Sequence, residues 1–112
     1  MKEIVYGYGI RQIKEMMLLA KQRITELEEV LGGSASLVGA EWDRSEDAQG
    51  RAVLTLRLWD FSGSVTTVFE PKELESPSHM RDRFYRVWGD LLQVRSQQQL
   101  QELQGATGPE GG

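Results

Sequence analysis

The residues best suited to chemistry in this chain are arginines. Arg81, Arg83 and Arg86 lie close together in sequence, and Arg83 and Arg86 stand three apart. On a helix that spacing puts the pair on one flank. A guanidinium is planar, permanently charged and rich in donors, so the cluster could grip phosphate. A helix N-terminus at the same place would also favour an anion. The same spacing suits a solvated flank with local pairing, for example to Asp82. Lys14 and Lys21, with Arg11, fall on one side of an earlier helix by the 3.6-residue period, and Arg23 is near them. Glu15, Glu26, Glu28 and Glu29 balance these cations, so a mixed, solvated face competes with a basic patch there.

A second set of residues could bind without reacting. Arg57 and Trp59 alternate with leucines on a strand, so they share the side opposite those leucines, together with Val53. Thr66 and Val68 could lie beside them on the next strand. Tryptophan beside arginine can stack a nucleobase or anchor a protein interface. Tyr85, Trp88 and Leu92 form a further apolar strip on a late helix, suited to helix packing, to a partner or to a second copy.

Signals for catalysis are weak. Glu41, Asp43, Glu46 and Asp47 cluster, but their spacing is not that of a calcium-binding loop. His79 has no cysteine to pair with, and no Gly-x-Ser-x-Gly turn occurs. Gly7-Tyr-Gly9 lacks the rest of a dinucleotide fingerprint. No cofactor or metal is expected, and the chain reads as a non-enzyme. The absence of cysteine excludes disulfides and thiolate metal sites and suits the cytoplasm. No signal peptide or membrane-spanning run is visible. The formal net charge of −4 is opposite to that of a strongly basic nucleic-acid binder.

These residues need elements to position them. At 112 residues the chain is long enough for one domain with a modest core. Residues 2–8 read as a strand ended by Gly7 and Gly9. Ile10, Ile13, Met17, Ala20, Ile24, Leu27 and Leu31 then alternate three and four apart, which predicts one amphipathic helix stopped by Gly32-Gly33. A coiled coil is the rival reading of that stripe. Residues 36–43 predict a second strand, 44–50 a polar hairpin loop, 51–60 an alternating strand and 64–70 another. Ser76-Pro77 predicts a helix start. Met80, Phe84, Val87, Leu91 and Val94 carry that helix toward residue 103. The domain is placed at 1–104 and a disordered tail at 105–112. The fold class is α+β: a two-layer β-α-β-β-β-α sandwich, its four-stranded sheet covered by both helices on one face.

The order of these elements over residues 3–97 resembles the short form of the ribosome hibernation promoting factor family. Tyr6-Gly-Tyr-Gly-Ile10 stands where the family's opening strand ends in a polar turn. Arg23-Ile-Thr-Glu-Leu-Glu28 is similar to a pattern late in the family's first helix. Gly50, Ser62-Gly-Ser-Val-Thr-Thr-Val68 and His79-Met80-Arg81 occupy comparable places farther on. The resemblance implies a stress protein that sits in the small ribosomal subunit, contacts its RNA and silences translation sterically. Arg81, Arg83, Arg86, Lys14, Lys21 and Arg23 would then contact RNA. The chain departs from the pattern late in the second helix, where Asp90, Gln93 and Gln97 replace the family's cations and only Arg95 is basic. Lys72-Glu-Leu-Glu-Ser-Pro77 looks like an insertion. The alternative is a protein-interaction or self-associating module on the same scaffold, binding through Arg57, Trp59, Tyr85, Trp88 and Leu92 to a protein partner or as a homodimer.

Overall fold

A computed structural model describes residues 1–107 of the chain. Strand β1 spans Glu3–Tyr6, helix α1 Tyr8–Arg11 and helix α2 Lys14–Leu31. Strands β2 (Gly39–Glu46), β3 (Ala52–Asp60) and β4 (Gly63–Phe69) follow, and helix α3 runs from Pro77 to Thr107. The sheet order is β1-β2-β3-β4, with β1 parallel to β2 and the other neighbours antiparallel. This is the α+β sandwich that the residue pattern predicts.

The alternation of β3 decides the layering. Leu54, Leu56 and Leu58 are fully buried, while Thr55, Arg57 and Trp59, which alternate with them, are half-buried. The leucines meet Ala20, Leu27 and Leu31 of α2 and Met80, Phe84 and Leu91 of α3 in one core. Helix α2 therefore lies on the sheet, and the coiled-coil reading falls. Trp42, Phe69 and Phe84 form an aromatic centre with ring centroids 5.9–6.2 Å apart, a spacing that favours tilted and edge-on contacts.

Several boundaries differ from the sequence expectation, beginning with the strand expected over 2–8, which ends at Tyr6 because Tyr8 opens α1. The single helix predicted from residue 10 is divided after Arg11. Asp43 Oδ1 accepts the amides of Ile10, at 3.1 Å, and of Arg44, at 2.7 Å. The bond from Ile10 pins α1 to β2 and sends Ile10 into the core, and the chain extends at Ile13 before α2 begins. Gly7 and Gly9 permit the approach, since a Cβ would stand 2.3 Å from the Asp43 carboxylate or 2.4 Å from the Arg44 carbonyl oxygen.

The second strand starts and ends later than predicted. Gly32–Leu37 coil into a 3-10 turn, and Arg44–Glu46 pair with Ala52–Leu54. Asp47 closes the hairpin, its Oδ1 accepting the amides of Gln49 and Arg51 at 2.9 Å. These bonds, led by the Arg51 amide, outweigh partial desolvation and hold the Asp47 carboxyl below its ordinary range.

The apparent insertion before the last helix is a second 3-10 turn, Pro71–Glu75, that buries Leu74. Helix α3 continues to Thr107, so the predicted disordered tail begins inside it. The remainder of that tail, 108–112, lies outside the described residues.

Candidate interaction surface

The six cations offered for phosphate contact do not share one surface. Arg83 faces inward. It donates to Glu73 at 2.6 Å, to Thr67 Oγ1 at 3.1 Å and to the Val68 carbonyl at 2.7 Å. Its guanidinium also lies 4.4 Å from the Phe69 ring centroid. Arg81 pairs with Glu29 of α2 at 2.8 Å, which raises the arginine's pKa through that hydrogen bond. Arg23 pairs with Glu26 at 3.1 Å, and both side chains are largely buried.

Lys21 lies 5.5 Å over the Tyr6 ring of β1. At 100° per residue Lys14 shares that flank, whereas Arg23 projects from the opposite one. Arg86 is exposed on α3. The cations therefore divide among a β1 flank, internal ion pairs and one outer position. Arg95 is also engaged, donating to Asp60 at 2.7 Å between the rings of Phe61 and Trp88.

The sheet face away from the helices is organised differently. By register, Glu3 and Val5 of β1, Glu41 and Asp43 of β2, Val53, Thr55, Arg57 and Trp59 of β3, and Thr66 and Val68 of β4 share it. The Trp59 indole occupies the space above Gly39, the residue paired with it. A Cβ there would stand 2.2 Å from the ring. Arg57 stacks on the indole with its guanidinium carbon 4.4 Å from the centroid, and it pairs with Glu41 at 3.2 Å. Three contacts thus fix a tryptophan and an arginine side by side. Asp43 spends its carboxylate on α1, but Glu3 and Glu41 still leave the face acidic on balance against Arg57.

Comparison with protein-family models, with curated proteins and with solved structures gives no match.

The remaining candidates divide between packing and exposure. Trp88 packs partly against the core, while Tyr85 and Leu92 stay exposed at 57% and 38%. By helical period they share the flank of α3 that carries Arg81, which pairs with Glu29 of α2, so they lie on the helix layer and not on the Trp59 face. His79 donates to or accepts from Glu73 at 2.7 Å. Among the described residues no carboxylate and histidine group could hold a metal, and no helix is long and apolar enough to cross a membrane.

Two anchoring carboxylates escape sequence reasoning. Glu73 receives Arg83, His79 and the amide of Glu70. Asp60, fully buried at its side chain, receives Arg95 and both the amide and the hydroxyl of Ser62. Burial alone would raise both pKa values, but these donors outweigh it and hold both carboxyls below their ordinary range. Asp60-x-Ser62 was a legible signal, because aspartate bonding two residues ahead is a common turn device. The distant partners Arg95 and Arg83 had none.

Proposed function

We propose that this chain is a non-catalytic protein-interaction module whose working surface is the uncovered sheet face. The observation that carries this is the Trp59–Arg57 pair, held in place by Gly39 and Glu41. Tryptophan and arginine contribute disproportionately to protein interfaces. Side chains already fixed in the free protein lose less entropy on binding. The acidic balance of the face opposes phosphate and favours a protein partner that brings lysine or arginine.

A second reading keeps the small ribosomal subunit as partner. The element order and the placement of both helices on one face favour it, since they match what the family resemblance implies. Under that reading Lys14 and Arg86, both exposed, are the cations readiest for phosphate. Salt separates the two readings. Apolar association survives raised salt, whereas phosphate binding weakens steeply. The tagged protein and its Trp59→Ala variant should be incubated with cell extract and with purified small subunits, at low and raised salt. A protein partner held at raised salt and lost with Trp59→Ala supports the module. Comigration with small subunits that is abolished by salt and indifferent to Trp59 supports the second reading and removes the first.

A further inference from the structure

Strand β4 is an edge strand, paired only with β3. The hairpin joining them has a two-residue turn, with Asp60 opposite Gly63. In such a hairpin the pair flanking the turn exchanges hydrogen bonds, and every second pair after it does the same. Val65, Thr67 and Phe69 therefore direct their backbone groups to β3. Ser64, Thr66 and Val68 direct theirs outward. The Val68 carbonyl confirms this phase, because it accepts Arg83 from outside the sheet. Arg83 closes that end of the edge. No hydrogen bond within the described residues occupies the outward groups of Ser64 and Thr66.

Edges are usually guarded by charge, proline, a bulge or shortness. Strand β1 has only four residues, one of them Glu3. Strand β4 has seven, and Ser64-Val-Thr-Thr-Val68 contains neither charge nor proline. Beside it, Val65, Thr66, Asp90, Gln93, Val94 and Gln97 line an open groove of about 390 Å³ between the edge and α3. Asp90 is the only charged residue among them. Outward backbone groups on alternate residues repeat every ~6.8 Å, a spacing that an extended polypeptide matches.

We infer that the outer edge of β4, with the groove beside α3, takes an extended peptide as an added strand. A lysine or arginine of that peptide faces Asp90. Main-chain bonds to Ser64 and Thr66 supply affinity, and the groove reads alternate side chains. This rests on the interaction-module reading only in taking a polypeptide as partner. Its surface adjoins the Trp59 face, since Ser64 and Thr66 pair with Trp59 and Arg57, but its bonds are made by the main chain on the outer edge of β4 and need no indole.

The test uses the full chain and a short alternating threonine–valine peptide with a central lysine. The controls are the same peptide N-methylated along its pairing edge and the same peptide with glutamate for lysine. Amide exchange read by NMR should slow about tenfold or more at Ser64 and Thr66 when the lysine peptide is added. The N-methylated peptide should have no effect, and Asp90→Lys should reverse the preference to the glutamate peptide. Thr66→Pro should abolish binding, with its fold checked by melting, because proline is tolerated at outward positions of edge strands. Equal binding by the N-methylated peptide, or unchanged exchange at Ser64 and Thr66 at saturating peptide, overturns the inference. The N-methyl control needs no variant, so the test stands even where Thr66→Pro fails to fold. Trp59→Ala should leave peptide binding intact. Capture by the wild-type protein that does not depend on Trp59, with peptide binding retained, would remove the interface at Trp59 and leave this site standing.

Discussion

Replacing Arg83 by alanine separates a structural arginine from a phosphate-binding one. The substitution deletes bonds to the Val68 carbonyl and Thr67 hydroxyl, the pair with Glu73 and the contact with Phe69. The two hydrogen bonds contribute about 1 kcal/mol each. The ring contact adds about 0.5–1 kcal/mol, and the partly exposed ion pair about 0.5 kcal/mol after solvent screening. Water can replace some of this at the Val68 carbonyl, so the expected loss is about 2–3 kcal/mol. For a domain of this size that lowers Tm by about 10 °C. Urea unfolding with an unchanged slope, followed by circular dichroism, measures it. Arg86→Ala serves as the comparison and should stay within about 0.5 kcal/mol of wild type. A double-mutant cycle with Glu73→Gln should show positive coupling. Arg83→Ala with wild-type stability would refute the view that this side chain is committed to the fold, and would return it to the list of available cations.

Other outcomes follow from the same contacts. Gly39→Ala should cost about 1–3 kcal/mol, since the new methyl must displace the Trp59 indole. In a Trp59→Ala background the same change should be far milder, as a thermal-melt cycle would show. Gly89→Ala should stabilise by up to about 1 kcal/mol, because a Cβ there meets nothing and helix-interior glycine is costly. Asp60 and Glu73 titrate below their unfolded values. Their contribution is therefore full above the unfolded carboxylate range and is lost as pH falls through the folded values, from about pH 4 downward. Asp60→Asn should flatten the acid limb of a stability–pH curve; an unchanged limb would count against the Arg95–Asp60 anchor.

The fold was legible because its signals are periodic. Leucines two apart on β3 and apolar residues three and four apart on the helices declare their faces without knowledge of partners. What escaped depends on contacts between distant residues. The break after Arg11 is made by Asp43, thirty-three positions from Ile10, and no local pattern announces it. The late ending of β2 follows from register with β3. The arginines illustrate the limit for sites. Spacing places Arg83 and Arg86 on one flank, yet Arg83 turns to Glu73 and the edge of β4 while Arg86 stays in solvent. The separation of Lys14 and Lys21 from Arg23 was available from helical geometry. Only the sheet shows that one flank overhangs β1. Conversely, Arg57 and Trp59 were visible by strict alternation, but Gly39, which seats the indole, carried no sign of that duty.

The central claim is that the Trp59 face binds protein. A photocrosslinking amino acid introduced at Thr55, beside Arg57 and Trp59 on that face, tests it most directly in cells. The account predicts a discrete protein adduct that persists when the lysate is washed at raised salt and disappears when Trp59 is also changed to alanine. Crosslinks to ribosomal RNA alone, or a protein adduct indifferent to Trp59, would contradict it.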